Sequence, residues 1–136
     1  MLKYFDTNIF IYSFLNQGIE KQESSTNIIE NAILNNEMVI SILVLQEMVY
    51  ALSKNKIDRS IIKEYYDKLK SFAMKNITND VFEEAILLSF ETNYFQNIND
   101  CIHIKFAEKH CDKLYTFDTD FEKFRSHTKL EIEILK

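Results

Sequence analysis

The chain has 136 residues, 46% hydrophobic and 27% charged, with a formal net charge of −5. That length and balance predict one soluble globular domain, exclude a disordered chain, and leave no run near the ~18 apolar residues of a membrane span. The acidic balance is not the basic surface that usually meets nucleic acid, but acids gathered around a divalent ion would reverse the local charge.

Leu2 to Phe5 is a short apolar run that reads as a buried strand ending on Asp6, and Thr7-Asn8 opens a helix from about Asn8 to Leu15. In open α/β sheets the ligand crevice lies beyond the carboxyl ends of the strands, so Asp6 is either a helix cap or a site residue. Asn16 to Ile19 is a loop, and a polar helix follows over about Glu20 to Asn35. Met38 to Ser41 reads as a second strand, with Ser41 as the cap of a helix over Leu43 to Lys54. Glu47 sits inside an apolar stretch of that helix, facing either solvent or a polar cleft. Asp58 caps the next helix, where Ile61, Tyr65, Leu69 and Phe72 recur at helical spacing.

Asn76 to Thr78 is a candidate very short third strand, and Asp80 with Glu83 opens a helix through Glu91. Asn93 to Asn99 is a loop, and Asp100 begins a helix over Cys101 to His110, where an aspartate would serve as a cap as readily as a ligand. Leu114 to Phe117 is the fourth strand, ending on Asp118, and Phe121 with Phe124 anchors a helical turn. Leu130 to Leu135 alternates apolar and acidic residues, the pattern of an edge strand with one wet face. Strands separated by helices predict a three-layer α/β/α sandwich with a mainly parallel sheet.

The two cysteines, Cys101 and Cys111, are roughly 15 Å apart if both lie on one helix, too far for a disulfide, and match no zinc spacing. No signal peptide is evident, which points to the cytosol.

Two carboxylates ~4 Å apart repel by about 4 kcal/mol at an effective dielectric of 20, so a cluster needs protonation or a cation. Oxygen ligands without a supporting His or Cys set favour Mg²⁺ or Mn²⁺, and such sites suit phosphodiester hydrolysis.

The segments Phe5-Asp6-Thr7-Asn8-Ile9, Ser41 with Val44-Leu45-Gln46-Glu47-Met48, Asn99-Asp100-Cys101-Ile102-His103-Ile104 and Thr116-Phe117-Asp118-Thr119-Asp120-Phe121 follow one another in a specific order. In that order they resemble a PIN domain, and among these the small VapC-type toxin ribonucleases. The resemblance implies a sheet of spatial order 3-2-1-4-5 and an acidic Mg²⁺ or Mn²⁺ site of Asp6, Glu47, Asp100 and Asp118, with Asp120 near it. It implies supporting roles for Asn8, Ser41 and Thr116. It also implies an endoribonuclease that leaves a 5′-phosphate and a 3′-hydroxyl, a homodimer, and an antitoxin protein whose segment occupies the cleft.

Many relatives carry small apolar residues after the third acid where this chain has Cys101 and His103. His103, three residues after Asp100, either reaches the cleft or is a partly buried helix histidine, and its place in the helix favours the second. Lys54, Lys56 and Arg59, beyond the Glu47 helix, and Lys105 and Lys109 are candidate contacts to an RNA backbone. Two other readings stand beside the nuclease. One is a phosphohydrolase with Asp6 as nucleophile, which would want an acid where Asn8 stands. The other is a PIN-like scaffold that binds RNA or protein without strong catalysis.

Overall fold

In the computed structural model, which describes residues 1–136, Lys3–Phe5 forms a strand (β1) at the centre of the fold. Tyr4 and Phe5 are fully buried, as befits a parallel strand covered on both faces. β1 pairs in parallel with β2 (Met38–Val39) on one side and with β3 (Lys113–Thr116) on the other. β4 (Glu131–Ile134) adds in parallel to β3, giving a four-stranded sheet of order β2-β1-β3-β4.

The helices are α1 (Thr7–Phe14), α2 (Ile19–Leu34), α3 (Ile42–Lys54), α4 (Arg59–Leu69), α5 (Asn79–Thr92) and α6 (Ile98–His110), with 3₁₀ segments at Lys70–Phe72 and Thr119–His127. α1 packs against α2 and α3, α5 packs against α6, and both α1 and α6 touch β3. The sheet is thus the middle layer of an α/β/α sandwich, the predicted class. One apolar cluster joins the layers, with Tyr4, Phe5, Phe10, Met48, Phe106 and Phe121 among its fully buried members.

Several expectations need correction. Asn76 to Thr78 is not a strand. The place beside β2 is held instead by the 3₁₀ segment, whose Phe72 carbonyl accepts a single hydrogen bond from the Ile40 N–H at 3.2 Å. Without that strand, the remaining members keep the expected sequence of neighbours. Helix α5 is capped by Thr78, whose hydroxyl accepts from Val81 N–H, and not by the Asp80–Glu83 pair. Helix α6 starts two residues before Asp100, because Asn97 takes the cap by accepting from the Asn99 N–H at 3.1 Å.

Ser41 and Asp58 cap α3 and α4 as expected. With no proline and one glycine, left-handed backbone falls to asparagine at two positions, Asn36 (φ 55°) and Asn93 (φ 54°), the latter closing α5. β4 is the wet edge: Ile132 is buried, while Glu131 and Glu133 reach Lys113 at 3.5 and 2.8 Å.

Candidate active site

β1 and β3 lie side by side, and both end in the same crevice. Asp6 follows β1 and is the cap of α1. Its Oδ1 accepts from the Thr7 N–H at 2.8 Å and its Oδ2 from the Thr116 hydroxyl, at the end of β3, at 2.8 Å. The same Thr116 oxygen accepts from the Asp118 N–H at 3.0 Å. One threonine therefore ties the two strand-end aspartates together. Asp6 is both the cap and the crevice acid, so the two readings of that residue do not compete.

The crevice encloses about 470 Å³ and is lined by Asp6, Glu47, Asp100 and Asp118, with Thr7, Asn8, Asn97 and Asn99 among its polar walls. Asp6 and Asp100 are buried, at 6% and 5% exposure, whereas Glu47 and Asp118 are half-buried. Asp100 sits in the first turn of α6, where Asn97 donates to its Oδ1 at 3.3 Å and the Tyr94 hydroxyl to its Oδ2 at 3.0 Å. Burial, followed by the charge on Asp6, pushes the Asp100 carboxyl up to about 7. Burial also raises Asp6, against the pull of His103, Thr116 and Thr7.

Glu47 faces this cleft and not solvent. Its Oε1 accepts from the Thr7 hydroxyl at 2.6 Å and bonds His103 Nε2 at 2.7 Å, and its Oε2 accepts from Asn99 at 3.1 Å. His103 is fully buried, and its Nδ1 bonds the Tyr4 hydroxyl, which in turn bonds Ser41 Oγ at 3.0 Å. Burial opposes charging of the imidazole, yet the Glu47 bond and the charges of Asp6, Glu47 and Asp100 hold its pKa above the ordinary value. Burial alone would raise Glu47, but His103 first, then Thr7 and Asn99, keep it below the ordinary carboxylate value. Ser41 thus supports the site at two removes, besides capping α3.

Asp6, Glu47 and His103 each offer one ligand atom within 4.8 Å of the others. Asp118 uses one oxygen to cap the following 3₁₀ segment, accepting from the Asp120 N–H at 2.8 Å. The cap there is Asp118 and not Asp120, which is exposed and lies 3.5 Å from the Tyr94 hydroxyl.

The sequence profile of the PIN domain matches residues 3–126. The chain belongs to the PIN domain family. No curated protein matches it in sequence. Among solved structures, the PIN domain is similar to VapBC2 from Rickettsia felis bound to a DNA fragment from their promoter, with a TM-score of 0.72, 21% identity and full coverage of both chains. It is also similar to a toxin–antitoxin complex from Klebsiella pneumoniae, with a TM-score of 0.62, 21% identity and 90% coverage of each chain. These likenesses bear on the fold.

Not every candidate side chain of the PIN domain reaches the crevice. Lys54, Lys56 and Arg59 are exposed outside its lining, and Arg59 borders a separate groove between α3 and α4. Lys105 pairs with Glu108 at 3.3 Å and, with Lys109, lines another recess that also holds Asp80 and Glu84. Asn8 is exposed on the crevice wall, so no second acid stands two residues after Asp6. Sequence reasoning passed over Thr7, Tyr94, Asn97 and Asn99. Thr7 and Asn99 adjoin motif acids and were within reach of inspection. Tyr94 was not, because the loop conformation that brings it over Asp100 leaves no local signal.

Proposed function

We propose that this PIN domain is a Mg²⁺- or Mn²⁺-dependent endoribonuclease and the toxin of a toxin–antitoxin pair. The observation that carries the reading is the meeting of Asp6, Glu47, Asp100 and Asp118, from the ends of two strands and from two helices, in one crevice. The residues fit a hard divalent cation: the carboxylates are oxygen donors, and two of them are buried together at a repulsive cost that a cation removes. When bound, such an ion activates water and neutralises charge on a phosphodiester.

The chain's own residues hold that geometry. Thr116 and Thr7 fix both oxygens of Asp6, and Tyr94 with Asn97 orients Asp100. His103, Thr7 and Asn99 occupy three acceptor positions of Glu47, leaving Oε2 with capacity for a metal or its water. Asp118 keeps one oxygen free of protein donors. Asp6, Asp100 and Asp118 are the proposed ligands, Glu47 the fourth acid, and Asn8, Ser41, Thr116 and Asp120 the supporting residues.

An antitoxin protein seated in the crevice and a homodimer belong to the same reading, which draws on the toxin–antitoxin complexes of similar fold. No helix is long and apolar enough to cross a membrane, and we place the protein in the cytoplasm.

The test is calorimetric titration with Mn²⁺ and Mg²⁺, together with cleavage of single-stranded RNA by the purified protein. Metal binding at the crevice and metal-dependent cuts carrying 5′-phosphates support the reading, and Asp6→Asn should lose both. Metal-independent activity on small phosphate esters would favour a phosphohydrolase with Asp6 as nucleophile. Binding of RNA without any cleavage would favour a scaffold.

A further inference from the structure

Glu47, Tyr50, Ala51 and Lys54 fall at i, i+3, i+4 and i+7 of α3 and so share one face of the helix. Glu47 closes the acidic floor of the crevice. Tyr50 and Ala51, with Ile11 from α1, are the three apolar residues in its lining. Tyr50 is 67% exposed, its ring stacks on no other aromatic, and its hydroxyl takes no hydrogen bond. Lys54 is exposed and forms no ion pair. At 1.5 Å per residue, Tyr50 lies about 4.5 Å and Lys54 about 10 Å along the axis from Glu47.

We infer that this face of α3 is a track for one single-stranded nucleotide next to the scissile phosphate, with its base stacked on Tyr50 and its outer phosphate against Lys54. The inference rests on the ribonuclease reading above and adds a subsite to it. An unstacked base has an apolar face that matches the ring, and stacking on an aromatic tolerates any base. A duplex holds its bases inside the stack and offers no such face. The other residues of the lining are aliphatic, polar or acidic, so Tyr50 is the one ring there, and Lys54 is the cation reached along the same face.

The test uses steady-state cleavage of a short single-stranded RNA with excess Mn²⁺, for the wild type, Tyr50→Ala, Tyr50→Phe and Lys54→Ala. Loss of one stacked base predicts a rise in KM of about 5- to 150-fold for Tyr50→Ala, with kcat changing far less, and recovery of most of that loss in Tyr50→Phe. An abasic nucleotide at the stacked position should weaken the wild type similarly and should add little to Tyr50→Ala. Lys54→Ala should lower the slope of log affinity against log salt by about 0.7, one phosphate contact on a single strand. A wild type that cleaves RNA, with KM unmoved in Tyr50→Ala and unmoved by the abasic site, overturns the subsite and leaves the ribonuclease standing. A wild type that neither binds nor cuts RNA removes both. If Tyr50→Ala weakens only a partner protein, this wall docks protein and the nucleotide inference fails.

Discussion

Asp118 and Asp120 are two residues apart and differ in what they touch. Asp118 lines the crevice with one oxygen free, whereas Asp120 is exposed and meets the site only through Tyr94. Asp118→Asn should therefore reduce RNA cleavage to background with the fold intact, and Asp120→Asn should lower it by the roughly 10–100-fold typical of outer-shell groups. Assaying both on one RNA ranks them, and a deader Asp120→Asn would reverse the assignment. His103 gives a separate test. His103→Phe leaves Glu47 without its buried partner while Tyr4 keeps Ser41, so stability should fall by about 1–3 kcal/mol. Mn²⁺ affinity should fall by about 10–100-fold as well. Urea denaturation and calorimetry read the two effects, and unchanged metal affinity would reduce His103 to a packing residue. Asp6, Asp100 and Asp118 were legible in sequence because each stands at or within a turn of an element end, whereas Glu47 lies in the middle of α3 and only the family resemblance singles it out. The Ser41–Tyr4–His103–Glu47 chain was not, since its members come from β1, from the cap and body of α3, and from α6, and meet only in space.

At the scale of elements, periodic apolar spacing and polar caps were enough to find the helices, and their ends moved by one to three residues, in two of them because a nearby polar residue took the cap. Asn97 displaced Asp100 and Thr78 displaced Asp80 because each sits where its side chain can reach an N–H of the first turn. The missing strand at Asn76 to Thr78 had the right composition but no neighbour, since Phe72 already meets Ile40. Pairing depends on the partner, which a local pattern does not encode. α3 carries the most at its start, where the Ser41 hydroxyl accepts from Val44 N–H at 3.4 Å and also bonds Tyr4. Ser41→Ala should cost about 0.5–2 kcal/mol, seen as a lower urea midpoint with an unchanged slope. An unchanged midpoint would mean that the cap contributes nothing.

For the whole molecule, the crowded acids tie stability to pH and to metal. Asp100, at about 7, Asp6 and His103 all bind protons more tightly when folded than their ordinary values would give. Through Asp100 and Asp6 the native state holds more protons than the unfolded chain from about pH 4 to pH 7, and through His103 above its ordinary value of 6.5, so stability falls as pH rises through both ranges. Glu47 acts oppositely, contributing stability above its ordinary range that is lost as pH falls through its lowered pKa. Metal-free protein should accordingly melt at a higher temperature near pH 6 than near pH 8. Mn²⁺ should raise the melting temperature most at pH 8, where the acids are charged. Thermal melts at both pH values with and without the ion check this, and a metal-free optimum at pH 8 would contradict the crowding.

The central strand has a consequence in time. β1 leaves the ribosome well before its neighbour β3, and the Thr116–Asp6 bond spans 110 residues. At ~5–20 residues per second, that interval is on the order of 5–20 s of synthesis. Through all of it Asp6 has neither its threonine nor its opposing aspartate. A chain cut short anywhere before Lys113 therefore has no assembled crevice, so truncated translation products should lack whatever activity the crevice supports.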